Sequence, residues 1–86
     1  MTFDKWIDAV NAGVRERLEN RVRTEELSWD SAMWVGAGGS TAVASLANDE
    51  RTATVLFDGG EKLSLAFRSD EAAPAIVSAA IAQHLI

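Results

Sequence analysis

The side chains best suited to binding chemistry are carboxylates, and several of them occur as adjacent pairs. The chain carries Asp49 with Glu50, Asp70 with Glu71, and a single Asp30. Carboxylates that gather on one surface attract a basic protein surface and speed the encounter with it. A weak divalent-cation site is also open to them, although the spacing is not that of an EF-hand loop. Because turns and helix caps are commonly polar, a purely structural role stays open as well.

Catalysis has few side chains to draw on. The sequence has no cysteine and no tyrosine, and its single histidine, His84, is two residues from the end. A Ser-His-Asp triad would need a serine on a nucleophile elbow, and no such motif is present. One histidine without cysteines is also a poor ligand set for structural zinc. We therefore expect a non-enzymatic protein without a cofactor or a metal ion.

Two further patterns invite a phosphate-binding interpretation, and both have a simpler explanation. The glycine-rich run at 36–41 lacks the lysine of a P-loop and precedes a strand pattern, so it predicts a hairpin turn. The net charge of -5 opposes general binding to nucleic acid. Four arginines are interleaved with glutamates, which is typical of a solvated helix face: Arg15, Arg17, Arg21 and Arg23.

Helical periodicity marks both ends of the chain. The first predicted helix covers about Phe3 to Arg21, with apolar residues every three or four positions and Thr2 as its N-cap. The second covers roughly Glu71 to Leu85, with Pro74 in the first turn, where proline is tolerated. No charged residue follows Glu71. A helix of that composition is normally buried on more than one side.

Between the helices, the sequence predicts a connection over 24–30 and then a four-stranded antiparallel meander over about 32–68. Turn residues at 38–39, 48–49 and 58–60 separate the strands. Two-residue loops at the first two turns, and a three-residue loop with a left-handed Gly60 at the third, give mutually consistent registers. The predicted cross-strand pairs are Val35 with Ala42, Met33 with Ala44, Ala44 with Ala53, Ala42 with Val55, Val55 with Leu63, and Ala53 with Leu65.

These elements predict an α+β fold, a single small domain over residues 1–86 in the order α-β-β-β-β-α. The registers gather an apolar face on the sheet, which favours both helices on that one face, although helices on both faces stay open. At 86 residues, one hydrophobic core is the natural expectation. The apolar fraction of 48% and the charged fraction of 24% are typical of a folded domain.

The topology predicts where the acids lie. In an up-and-down meander, the second turn, the end of the last strand and the start of the first strand share one sheet end. We therefore expect Asp49, Glu50, Asp70 and Glu71 to lie together, with Asp30 nearby. This negative surface is the first candidate binding site.

The second candidate site is the sheet face turned away from the helices. The predicted registers place Trp34, Val43 and Leu56 there among threonines and serines. A large aromatic such as Trp34, opposite Val43, is a suitable anchor for an interface. This face and the uncharged second helix lead to a homodimer hypothesis. If the helices cover both faces, these residues are simply core.

Together, the patterns predict a small acidic protein-binding module, of the inhibitor, immunity or adaptor type, that covers a basic site on another protein. The alternative is a homo-oligomeric structural or assembly subunit. A small-molecule binder or enzyme that uses the acids with a metal is least favoured. No signal peptide or membrane span is visible and cysteines are absent, so we expect a cytoplasmic protein without membrane or direct nucleic-acid partners.

Overall fold

The computed structural model describes residues 2–28, 30–67 and 69–86, apart from the side chains of residues 26 and 71. Helix α1 (Phe3–Leu18) and a 3-10 turn (Glu19–Arg21) lead into five strands, which pair antiparallel in chain order. A second 3-10 turn (Asp70–Ala72) precedes helix α2 (Pro74–Leu85). The α+β class is confirmed, with five strands in place of four. The strands are β1 (Val22–Ser28), β2 (Ser31–Gly36), β3 (Thr41–Leu46), β4 (Thr52–Phe57) and β5 (Lys62–Ala66).

The additional strand is β1, where the sequence predicted a connection. It pairs antiparallel with β2, placing Val22 opposite Gly36 and Glu25 opposite Met33, and a register shift follows between residues 26 and 28. As an edge strand it has one neighbour, and edge strands commonly carry charged side chains that discourage further pairing. The sequence VRTEELS therefore lacks the apolar alternation by which strands are recognised.

Helix α1 begins at Phe3 as predicted and ends at Leu18, because the last three residues of the predicted helix, Glu19–Arg21, form a 3-10 turn. Thr2 caps it, its hydroxyl accepting a hydrogen bond from Lys5 N at 3.3 Å. At the other end, Arg21 Nε donates to Leu18 O at 3.1 Å, and Arg17 Nη1 donates to Gly13 O at 3.1 Å. These two arginines therefore satisfy carbonyl groups of the last helical turns, which supports the structural interpretation of the arginine cluster.

The two helices lie against each other at small residues. A Cβ atom on Gly13 would lie 2.6 Å from Ser78 Cβ, closer than two carbon atoms can approach. Ser78 is fully buried, and its hydroxyl lies 2.8 Å from Val10 O and 2.7 Å from Pro74 O. Pro74 occupies the first turn of α2, as predicted.

The first hairpin loop has three residues, not two. Gly36 N donates to Ser40 O at 2.9 Å, so 37–39 form the loop, and Gly39 is left-handed with φ 91°. The predicted pairing of Val35 with Ala42 is therefore wrong: Trp34 lies opposite Ala42.

A one-residue shift exchanges the two faces of a strand, so the side chains of β2 point opposite to the prediction. Ala32 and Trp34 face the helices and are buried, with Trp34 fully inaccessible. Met33 and Val35, predicted to face the helices, lie on the other face and are half-buried. The correction moves the largest side chain of the sheet into the core.

The other two hairpins keep the predicted faces. The β3–β4 loop has four residues in place of two, because Ala47 N bonds to Thr52 O, and Ala44 lies opposite Val55 instead of Ala53. A shift of two residues leaves the facing unchanged. The β4–β5 loop is as predicted, with Gly60 at φ 90° and Val55 opposite Leu63.

Both tryptophans that the structure describes are buried with their indole N–H groups satisfied. Trp6 Nε1 donates to Ala72 O at 2.6 Å, which ties α1 to the turn before α2. Trp34 Nε1 donates to Asn11 Oδ1 at 3.0 Å, and the same oxygen accepts from Thr24 Oγ1 at 2.7 Å. Hydrogen bonds as well as burial therefore fix the orientation of these two indole rings in the core between the sheet and the helices.

Candidate functional site

Four of the predicted acids lie at one end of the sheet. Leu46 N donates to the carbonyl oxygen of Asp30 at 2.9 Å, which places Asp30 beside the end of β3. Asp49 and Glu50 are in the loop that follows β3, and Asp70 follows β5, whose last residue pairs with the first residue of β4. The side chain of Glu71 lies outside the described part of the chain.

The carboxylate of Asp49 is engaged by its own loop. Its Oδ1 accepts from Arg51 N at 2.9 Å and Thr52 N at 3.0 Å, and its Oδ2 accepts from Thr52 Oγ1 at 2.9 Å. These hydrogen bonds hold the pKa of Asp49 below its ordinary value. Asp49 therefore shapes the loop, whereas the neighbouring Glu50, at φ 58°, is exposed.

Helix α1 brings two further carboxylates that sequence reasoning missed, Asp4 and Asp8. Its first turn docks at this end, because Phe3 and Phe67 lie edge to face with ring centroids 5.7 Å apart. Helical periodicity does not tell which sheet end the start of the helix meets. We use the name "acidic end" for the exposed or half-exposed carboxylates of this region, namely Asp4, Asp8, Asp30, Glu50 and Asp70.

A cleft of about 340 Å³ opens at the acidic end, between α1 and the β1–β2 hairpin. Its buried lining is apolar, from Phe3 and Ala32, with Ile7 half-buried beside them. Its polar lining comes from the exposed Asp4, Asp8 and Ser28 and from the half-buried Ser31. We call this feature the acidic cleft.

Hydroxyl groups and a third carboxylate are linked at one side of the acidic cleft. Ser28 Oγ donates to Asp30 Oδ1 and lies 2.8 Å from Ser31 Oγ. The hairpin side of the cleft therefore presents oxygen atoms, as the helix side does through Asp4 and Asp8. The whole rim consists of hydrogen-bond acceptors or of groups that can act as acceptors.

Among the described residues, the carboxylates of the acidic end form no ion pair. The ion pairs of the described residues are Arg23–Glu25 at 3.0 Å and His84–Asp58 at 2.5 Å, and neither uses a carboxylate of this end. Within the same residues, no group of three or more His, Cys, Asp or Glu side chains could hold a metal ion. The arrangement is suited to attracting a cationic side chain, since oxygen acceptors surround an apolar base.

The second predicted site needs a correction. Trp34 cannot be an exposed anchor, because the observed register turns it into the core. Val43 and Leu56 do lie on the face away from the helices, directly opposite each other, and Leu56 is 48% exposed. Met33 takes the place next to Val43 in β2. We call this surface, formed by the outward positions of the five strands, the open sheet face.

His84 has a partner that the sequence did not reveal. Its Nε2 lies 2.5 Å from Asp58 Oδ1, and its ring centroid is 4.7 Å from that of Phe57. The contact joins the last turn of α2 to the β4–β5 loop and lowers the pKa of Asp58, chiefly through the hydrogen bond. The two residues are 26 positions apart, so no local sequence pattern announces the pair.

No protein-family model, curated protein or solved structure matches the chain. Of the helices in the described residues, none combines the length and the apolar character that crossing a membrane requires. Function is therefore argued from the geometry of the two surfaces.

Proposed function

We propose that the chain is a cytoplasmic, non-enzymatic protein-binding module, of the inhibitor, immunity or adaptor type, whose acidic end covers a basic site on another protein. The observation that supports this most directly is the acidic cleft. It combines an apolar base with two exposed carboxylates, Asp4 and Asp8.

The chemistry of the cleft favours an arginine or lysine side chain as its occupant. Such a side chain has an apolar stem and a charged head, and it buries the stem while the head stays hydrated or paired. Phe3, Ile7 and Ala32 offer the apolar contact, and the carboxylates of Asp4 and Asp8 offer the charge. The volume is at the lower end of the about 300–1,000 Å³ that is typical of ligand pockets, which suits one side chain.

The surrounding charge supports recognition before contact. Glu50, Asp70 and Asp30 extend the negative surface beyond the cleft, and the chain as a whole carries a net charge of -5. Such a surface raises the rate at which a basic partner is encountered, and the effect decreases as salt screens it. Association should therefore slow with rising ionic strength.

The test is capture from the native host with the immobilised chain, followed by binding measurements on the isolated partner. Asp4→Lys combined with Asp8→Lys should weaken that binding by roughly a hundredfold, because it places two repelling charges on the rim. The matched control is Glu16→Lys with Glu61→Lys, two exposed residues at the opposite end of the molecule. It makes the same change in net charge and should alter binding by roughly threefold at most.

A partner that binds both double variants as tightly as the wild type would contradict the proposal. A partner with an acidic contact surface would contradict it too. Equal weakening by both variants would mean that net charge alone matters, which would also remove the cleft from the binding site.

Homo-oligomerisation, the alternative function, is supported by the open sheet face, not by the acidic end. Leu56 is 48% exposed there and lies next to Val43, which in turn lies next to Met33. Self-association through that face leaves the acidic end accessible, so the two functions are compatible and have separate tests.

A further inference from the structure

We propose that the open sheet face binds a second copy of this chain, face to face, with a two-fold axis that runs along β3. The inference goes beyond the proposed binding of a basic protein, since it uses a different surface and a different partner, and it gives the alternative function, self-association, a definite geometry. It depends on which residues the observed registers align across the sheet.

One row of aligned residues crosses all five strands. Met33 lies opposite Val43, and Val43 lies opposite Leu56. The row continues to Glu25 on one edge strand and to Lys62 on the other. Its centre is therefore apolar, with an acid at one end and a base at the other.

The row is complementary to itself under that two-fold rotation. Turning one sheet over about β3 brings the β1 edge of one copy above the β5 edge of the other. Glu25 then faces Lys62 of the second copy in addition to its own Arg23, whose Nε lies 3.0 Å from Glu25 Oε1. Met33 faces Leu56 of the second copy, and Val43 faces its Val43. Two ion pairs form for each dimer, and they enclose a continuous apolar contact.

The composition of the three central strands supports burial of the open sheet face. β2, β3 and β4 contain no charged residue on either side, with the sequences SAMWVG, TAVASL and TATVLF. An antiparallel sheet that faces water normally carries polar and charged side chains on that side. Depletion of charge from the centre, with charges retained at the rim, is the composition of a protein interface.

The available area is sufficient for a specific dimer. With a strand spacing of about 4.8 Å and a rise of about 3.3 Å per residue, the sheet measures about 24 by 20 Å. That gives about 500 Å² of flat surface per copy and about 1,000 Å² for two copies, which reaches the lower bound for a biological interface. Two such sheets would stack about 10 Å apart, as in a β-sandwich.

A charge-swap experiment tests the predicted symmetry. Sedimentation equilibrium should show the wild type as a dimer. Glu25→Lys alone places two lysines together, and Lys62→Glu alone places two glutamates together, so each should weaken dimerisation by roughly tenfold or more. The double variant restores opposite charges and should recover wild-type affinity to within roughly threefold.

Recovery of dimer affinity by the double variant would be specific to the two-fold arrangement. Within one copy, Glu25 and Lys62 lie on opposite edge strands, about 19 Å apart at the usual strand spacing, too far for a direct contact. A change in the stability of the monomer therefore cannot produce that recovery. A wild type that stays monomeric at high micromolar concentration would overturn the proposal, as would a double variant no better than the single ones.

Leu56→Gln offers a second measurement that does not depend on charge. Leu56 is already 48% exposed, so the variant should fold, with an unchanged circular dichroism spectrum, but should be monomeric. The control is Ile76→Gln on α2, 59% exposed and away from the open sheet face, which should remain dimeric. If Leu56→Gln instead abolished capture of a different protein by a monomeric wild type, the face would belong to that protein and the second copy would be ruled out.

Discussion

At the scale of single residues, the carboxylates of this chain divide into those held by the fold and those free to act outside it. Asp49 and Asp58 belong to the first group, because each accepts hydrogen bonds that lower its pKa. Asp4 and Asp8 form no ion pair among the described residues. Under the proposed function, the first group has a structural role and the second is available for binding.

The pair His84–Asp58 gives a prediction with an internal control. His84→Asn should raise the pKa of Asp58 towards its ordinary value of 3.8, because the hydrogen bond that favours the carboxylate is lost. The pKa of Asp49 should not change, since its donors belong to its own loop. Carbon-detected NMR titration of the side-chain carboxyl groups measures both values in one experiment, and equal shifts at both aspartates would contradict the assignment.

The same lowered pKa values fix the direction of a pH effect on stability. A carboxyl group whose pKa is lower in the folded state than in the unfolded state stabilises the fold above its unfolded pKa. That contribution is lost as the pH falls through the folded pKa. Asp49 and Asp58 should therefore both favour the folded state at neutral pH. This contribution should decline below pH 3.8 and be lost as the pH falls through their lower folded pKa values.

At the scale of elements, the crossing of α1 and α2 depends on the absence of a side chain at Gly13. Gly13→Ala should raise helix propensity by about 1 kcal/mol. The new Cβ atom would overlap Ser78, however, and such overpacking costs about 1–3 kcal/mol or more. We expect a net loss of stability of about 1–2 kcal/mol in urea denaturation.

Double substitution distinguishes this steric effect from a loss of flexibility. Adding Ser78→Gly to Gly13→Ala removes the atoms that the new Cβ would meet. The two changes should therefore be less destabilising together than the sum of their separate effects, a coupling expected only for residues in contact. Strict additivity would show that the helices do not approach each other at these positions.

Elements were predictable from the sequence where local chemistry specifies one structure. Within a helix, Pro74 is tolerated only in the first turn, and the DGG sequence at 58–60 favours a three-residue loop with Gly60 left-handed. The GG pair at 38–39 is compatible with both a two-residue and a three-residue loop, so the register of β2 could not be derived from it. Strand β1 was not predicted because an edge strand can carry charged side chains and still pair with its neighbour.

The candidate site, too, could be predicted only in part from the sequence. The acids that occupy turns, Asp49, Glu50 and Asp70, were placed at one sheet end by topology alone. Asp4 and Asp8 join them only because the start of α1 docks against Phe67, a tertiary contact that helical periodicity does not encode. The acidic cleft, which needs both sides, was therefore not predictable.

At the scale of the whole molecule, the chain is two layers thick, with the helices on one side of the sheet and none of the described helices on the other. The direction of the Trp34 side chain shows which face of β2 belongs to the core. In the predicted register Trp34 would belong to the surface and Met33 to the core. Their substitution should therefore distinguish the two registers in solution.

Trp34→Ala should cost about 3–5 kcal/mol, because it leaves a large cavity and removes the donor to Asn11 Oδ1. A domain of this length has a stability of only about 4–13 kcal/mol, so the variant should be largely or wholly unfolded at elevated temperature. Met33→Ala, at a half-buried position of the open sheet face, should cost about 1 kcal/mol or less in the monomer. Urea denaturation at a protein concentration at which the chain is monomeric compares the two. A larger loss of stability for Met33→Ala than for Trp34→Ala would indicate the two-residue loop, with Trp34 at the surface. It would then remove the alignment of Glu25, Met33, Val43 and Leu56 from which the dimer is inferred.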